Sequence, residues 1–140
     1  MTRVFVGLGS NVGDREAWLR AGLWGLATAE GVRRLRWVPW RETEPVGGPA
    51  GQRAYLNTAA EAWTTLSPLA FLTACQAVET RNGRDRSREV RWGPRTLDID
   101  VLLWGEETLS LPGLTVPHPR MGGRRFVLEP LAELRRTGPT

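Results

Sequence analysis

An α+β fold, with an antiparallel sheet sandwiched with helices in a ferredoxin-like arrangement, is predicted for this 140-residue chain by three observations. Apolar or period-two runs bounded by turn residues recur along the chain and read as strands. Two helix starts, at Asp14 and at Ser67-Pro68, separate them. The resulting order, β-α-β-β-α-β-β, lacks the repeated βαβ crossover of a parallel sheet. One domain is expected over residues 1–140, since this length can bury a core without disulfide or metal staples.

Residues 3–8 (RVFVGL) form a short apolar run, read as a buried strand that breaks at Gly9-Ser10-Asn11-Val12-Gly13-Asp14. The glycines there are expected to serve a tight strand-to-helix turn. Asp14 is the expected N-cap of a helix from about Arg15 to Ala29, with Trp18, Leu19, Leu23 and Leu26 along one face. Gly31 ends it, and 32–42 reads as the next strand. The Pro/Gly-rich segment 43–51 reads as a functional surface loop. Tyr55 to Thr64 returns as a strand.

Ser67 offers a capping hydroxyl and Pro68 a first helical residue. Leu69, Leu72 and Val78 give this second helix its apolar stripe, Gln76 and Glu79 share a polar face, and Asn82-Gly83 closes it. After a strand at 97–104, Gly105-Glu106 turns into a short strand at 108–111. Residues 114–121 read as a proline-stiffened loop, and 126–134 as a short final helix broken by Pro130.

The stretch Arg91-Trp92-Gly93-Pro94-Arg95-Thr96-Leu97-Asp98-Ile99-Asp100 carries the most chemistry. Alternate residues of a strand share a face, so both carboxylates point the same way, their Cα atoms roughly 6.6 Å apart. Two such acceptors repel unless a cation lies between them. Paired Mg²⁺ ions suit that arrangement and serve phosphoryl chemistry, while neighbouring arginines suit phosphates. A bare Asp-x-Asp also reads as two solvated residues on an edge strand; the Arg-Trp-Arg preamble turns the reading toward metal.

Composition narrows the field. Net charge is +4 and all 19 basic residues are arginine, with Arg81, Arg84, Arg86, Arg88, Arg91 and Arg95 crowded into one region, a pattern that points to a polyanion. The single cysteine, Cys75, and single histidine exclude a disulfide framework and a Cys/His zinc site. Cys75 is expected to be a buried side chain rather than a nucleophile. Gly7, Gly9 and Gly13 miss the dinucleotide fingerprint by one residue, and no Lys-Ser/Thr pair follows to make a Walker loop. No apolar run is long enough to cross a bilayer and the first residues read as a strand, so the expectation is a cytoplasmic protein without membrane contact.

Four segments in order, Gly7-Leu-Gly-Ser-Asn11, Tyr55-Leu-Asn57, the block 91–100 and Leu114-Thr-Val-Pro-His118, resemble the 6-hydroxymethyl-7,8-dihydropterin pyrophosphokinase family of folate synthesis. The resemblance covers nearly the whole chain. It implies transfer of the β,γ-pyrophosphoryl group of ATP to the hydroxymethyl group of a reduced pterin, releasing AMP. It further implies that Asp98 and Asp100 bind two Mg²⁺ ions, and that Arg84, Arg95 and Arg86 neutralise the transferring group. Glu79, Ile99, Thr115, His118 and Arg124 match positions around the nucleotide. Thr43, Val46, Tyr55, Asn57 and Phe126 match the pterin pocket, with Trp92 between the two ligands. Asp100 is also a candidate acceptor of the pterin hydroxyl proton. The expected partners are ATP and the pterin, not nucleic acid, for a monomer or weak homodimer.

The chain departs from the family pattern at Glu44, where proline is usual, at Gly113, where some members carry a basic residue, in an arginine loop one residue longer than usual, and in a short C-terminus. Residue chemistry supports the same assignment: a flat polar heterocycle needs an aromatic stack, available from Phe126 with Tyr55 or Trp92, and edge contacts, available from Asn57. Two other classes share parts of this pattern. A nucleotidyltransferase also joins Gly-Ser to Asp-x-Asp but releases pyrophosphate. A single-stranded nucleic-acid binder could use the arginines and tryptophans as a stacking platform, yet leaves the aspartates without purpose. Trp18, Trp24, Trp37, Trp40, Trp63 and Trp104 are expected in the core or at interfaces.

Overall fold

The architecture is that of a computed structural model, which describes residues 1–44, 51–84, 96–119 and 134. The elements run β1 (Thr2–Ser10), α1 (Arg15–Ala27), β2 (Val32–Trp37), β3 (Arg41–Thr43), β4 (Tyr55–Thr64), α2 (Pro68–Arg81), β5 (Asp98–Trp104), β6 (Leu109–Leu111) and β7 (Leu114–Val116). Five strands form an antiparallel sheet in the order β2-β4-β1-β5, with β3 also on β4, and β6 pairs with β7 in a small hairpin. This is the α+β, ferredoxin-like arrangement expected.

β1 is central, and its nearly continuous buried run meets neighbours on both faces of the sheet. It pairs along its whole length with β4, and over Val4–Gly9 with β5. Val4, Val6 and Leu8 of β1, with Ala60, Ala62, Ile99 and Val101, meet Leu19, Leu23 and Leu26 of α1 and Phe71, Cys75 and Val78 of α2 in the main core. Both described helices therefore cover one face. They approach closely at Gly25, where a Cβ would lie 2.8 Å from Val78 Cγ1. Phe71 meets Trp104 edge-on with ring centroids 5.6 Å apart.

Both helix starts form as expected: the Asp14 side chain accepts the Ala17 N–H and Ser67 accepts that of Ala70, satisfying donors that the helix leaves orphaned. Gly83, at φ +85°, takes the left-handed turn beyond the Asn82 cap. Five readings change. β1 runs on through Gly9 and Ser10, so Gly9 lies inside a strand rather than a turn. The span 32–42 divides into β2 and β3 around Val38-Pro39-Trp40, where proline removes a ladder donor. Residues 114–116 are a strand, not loop. Phe71 and Cys75 join the expected Val78 in the buried stripe of α2, with Leu72 packed against it, whereas Leu69 is 41% exposed. Trp24 and Trp37, expected in the core or at interfaces, are exposed, which leaves only the second of those places. The final helix expected at 126–134 lies outside the described residues except Leu134, which is helical and buried.

β5 carries one irregularity. Phe5 pairs with Leu103 but Val6 with Val101, so Leu102 is the extra residue of a bulge. The bulge reverses the side-chain phase. Ile99 and Val101 join the main core, while Leu102 packs with Phe5, Val38, Ala59 and Leu134 on the opposite face. Without the bulge, Trp104 would point away from the helices.

Candidate active site

Directly opposed residues of antiparallel strands share a face, and the pairing sets out the site. Gly9 lies between Asn57 of β4 and Asp98 of β5, and Gly7 between Ala59 and Asp100. Asn57, Asp98 and Asp100 therefore occupy the face turned from the helices. The two flanking strands are about 10 Å apart, and the strip between them is floored by glycine. A Cβ on Gly9 would come 2.7 Å from Asn57 Oδ1. That is why this strand needs glycine there although its φ is ordinary.

Tyr55 and Thr43 oppose each other across β4 and β3, and Asn57 Nδ2 donates to Thr43 Oγ1. Three of the expected pterin residues thus form one cluster beside Gly9. Val46 and Phe126 lie outside the described residues. Asn11, from the first segment of the sequence signature, is buried; its Nδ2 donates to Gln52 Oε1 and to the Arg53 carbonyl, both at 3.2 Å. Arg15 holds the Ala54 carbonyl at 2.8 Å and Arg53 that of Gly13 at 2.8 Å. The turn after β1 thereby fixes the chain entering Tyr55, a role sequence reasoning did not assign.

At the other side of the glycine strip, Asp100 is pushed well above the ordinary carboxylate range, first by burial and then by the charge and hydrogen-bond contact of Asp98 and the charge of Glu79, with Arg84 opposing. Its side chain keeps 46% of its surface open, so solvent tempers that effect. His118 Nε2 lies 3.8 Å from Asp100 Oδ1. The His118 backbone N–H donates to the Leu102 carbonyl at 3.0 Å, so the bulge residue anchors it beside the aspartates. Thr115 is exposed on β7, paired with Ser110.

Glu79 and Gln76 diverge, contrary to the shared face expected: Gln76 is exposed, while Glu79 is 1% exposed. The Glu79 carboxylate accepts the Ile99 N–H at 2.8 Å and a hydrogen bond from Arg84 Nη1, which also donates to Asp98 Oδ1 at 2.7 Å. Ile99 itself is buried in the main core, so of this residue it is the backbone that serves the site. Arg86, Trp92, Arg95 and Arg124 lie outside the described residues. Cys75 is buried, its thiol pushed up to about 12 by burial, then by Glu79 and Asp100, which makes it inert as a nucleophile.

Among the described residues no three His, Cys, Asp or Glu side chains form a metal-binding group. Two carboxylates nevertheless fit Mg²⁺, a hard cation that commonly takes one or two protein carboxylates and completes its shell with water and substrate phosphates. The crowding that raises Asp100 is the repulsion a cation would relieve.

A family model described as 7,8-dihydro-6-hydroxymethylpterin-pyrophosphokinase matches residues 5–136. The chain is similar to the 2-amino-4-hydroxy-6-hydroxymethyldihydropteridine pyrophosphokinase of Pseudomonas aeruginosa, 45% identical over 132 residues, covering 94% of this chain and 80% of that protein. The enzyme of the same name from Bacillus subtilis is 45% identical over 130 residues, covering 93% of this chain and 76% of the relative. The Methylorubrum extorquens enzyme is 40% identical, over 96% of this chain and 83% of its own length.

Proposed function

The chain belongs to the 7,8-dihydro-6-hydroxymethylpterin-pyrophosphokinase family, ATP-dependent diphosphotransferases of folate biosynthesis, and on that premise we propose that it moves the β,γ-pyrophosphoryl group of ATP onto 6-hydroxymethyl-7,8-dihydropterin. The pterin hydroxymethyl oxygen attacks the β-phosphorus, the bond from that phosphorus to the α-phosphate oxygen breaks, and AMP leaves. The observation that supports this reading is the cross-strand row Asn57–Gly9–Asp98. It sets an amide suited to the edge of a heterocycle and a carboxylate suited to a metal on one face, with no side chain between them.

Asp98 and Asp100 would hold two Mg²⁺ ions. Bound there, the ions supply charge neutralisation across the phosphates, the term on which phosphoryl transfer chiefly depends. Thr43 and Asn57 would read the edge of the pterin and Tyr55, Phe126 and Trp92 its faces, with Val46 completing the pocket. Arg84, Arg86 and Arg95 would spread the charge of the transferring group. Ile99, Thr115, His118 and Arg124 would border the nucleotide. Asp100 is also the group assigned to accept the hydroxyl proton. The whole of 1–140 is read as one pyrophosphokinase domain, working in the cytoplasm as a monomer or weak homodimer without nucleic acid or membrane.

The test is direct. The protein is incubated with ATP, Mg²⁺ and the reduced hydroxymethylpterin, and the nucleotide product is separated. AMP formed in step with pterin diphosphate supports the proposal; pyrophosphate or ADP in its place refutes it.

A further inference from the structure

Arg84 stands between two carboxylates of unequal accessibility. Its Nη1 donates to Glu79, and to Asp98 Oδ1 at 2.7 Å; Arg84 itself is 7% exposed, Glu79 1% and Asp98 33%. On the Glu79 side the hold is double, because the Arg84 backbone N–H also donates to the Glu79 carbonyl at 3.2 Å. Removing a cation from a fully buried carboxylate leaves an uncompensated charge, a change that proteins resist strongly. Asp98 differs: a third of it is open, so another cation can replace the guanidinium there.

We infer that Arg84, tethered by Glu79, is the resident counter-ion of Asp98, and that a divalent ion competes with it for that carboxylate. The inference rests on the metal-binding role given to Asp98 above. It makes Glu79 a positioning residue that touches neither phosphate nor pterin. Its carboxylate stays on Arg84 while the Asp98 contact is surrendered, and the released Nη1 hydrogen is then available to a phosphate oxygen. Metal binding and arming of Arg84 become one event.

Mn²⁺ serves as the probe, with free ion counted by electron paramagnetic resonance in titrations of the full chain without nucleotide. Arg84→Met strands Glu79 and can fail to fold. The comparison is therefore made between Glu79→Gln and the double variant Glu79→Gln/Arg84→Met, both checked by thermal melting. Loss of Arg84 is expected to tighten Mn²⁺ binding about tenfold, the worth of one charge-assisted hydrogen bond. The gain should persist in about 0.5 M KCl, because contact competition is screened far less than a distant field. Unchanged or weaker affinity, or a gain that salt abolishes, overturns the inference. Asp98→Asn provides the separate check. If it binds Mn²⁺ as well as the unaltered protein, the metal assignment itself has failed, whatever Arg84 does.

Discussion

The Glu79 carboxylate accepts the backbone N–H of Ile99 at 2.8 Å, so a side chain from α2 closes the free edge of β5 midway between the two aspartates. β5 ends the sheet, and an edge strand offers donors that must be satisfied or covered. Here the acceptor is a buried charge that also carries Arg84. One residue thus joins the geometry of the aspartate pair to the position of a cation.

Glu79→Ala should therefore cost about 3–5 kcal/mol, the usual price of breaking a buried ion pair from one side. Glu79→Gln retains an acceptor for Ile99 and should cost less. Urea unfolding of both variants measures the difference; equal, small losses would mean that the buried carboxylate does not hold this edge.

Asp100→Asn is expected to abolish turnover while leaving the fold as stable as before, or more so, at neutral pH. A carboxyl whose pKa is raised on folding contributes stability that is fully present below its unfolded value and is lost as pH rises through the folded one. The direction of the Asp100 shift therefore makes its ionised form a liability, which asparagine lacks. Melting temperatures across the acidic to neutral range check the sign. A variant that melts clearly lower at pH 7 contradicts it.

A methyl group on Gly9 should act on the pterin side alone. In Gly9→Ala the added Cβ would lie 2.7 Å from Asn57 Oδ1 and 3.4 Å from Tyr55 Cδ1, driving the Asn57 amide off its position beside Thr43. Pterin affinity, followed by its fluorescence, is expected to fall about tenfold, the equivalent of one good hydrogen bond. ATP affinity should hold. A parallel loss of both would point to a general collapse of β1 instead.

The fold was legible wherever the local signal and the tertiary demand agreed. Tyr55–Thr64 reads as a strand and forms one over those same residues, and the caps at Asp14 and Ser67 work as their side chains suggest. The chain misled where one residue type serves two purposes. Gly9 read as a turn glycine, yet it is a strand residue between Asn57 and Asp98, a place visible only once the strand pairing is known. Trp104 looked like one more position on the side of the aspartates, but the bulge at Leu102 turns it to the helix face. In the site, the common face of Asp98 and Asp100 was legible from their spacing in the strand. The burial of Glu79 was not, because helical periodicity placed it beside the exposed Gln76 and could not reveal the edge of β5 above it.

The site face also carries a second ion cluster, and it yields the last prediction. Glu61, opposite Phe5 on β1, is 1% exposed and is held by Arg3 and by Arg36 Nε at 3.0 Å. Arg36 Nη2 continues to the Leu134 carbonyl at 2.7 Å, so the cluster fastens Leu134 onto the sheet over Phe5 and Leu102. Burial, the largest single influence, would raise the Glu61 pKa, but the hydrogen bonds and charges of Arg36 and Arg3 together outweigh it and the carboxyl titrates below its ordinary value. A lowered carboxylate contributes stability that is present above its unfolded pKa and disappears as pH falls through the folded one. Glu61→Gln should accordingly destabilise the protein by about 3 kcal/mol at pH 7, leaving two arginines facing a neutral amide. The penalty should shrink as the medium is acidified below pH ~4.5, where the unaltered protein begins to lose the same contribution. Guanidinium unfolding at a series of pH values tests both parts, and a penalty that stays constant through the acid range would show that the Glu61 charge is not what secures Leu134.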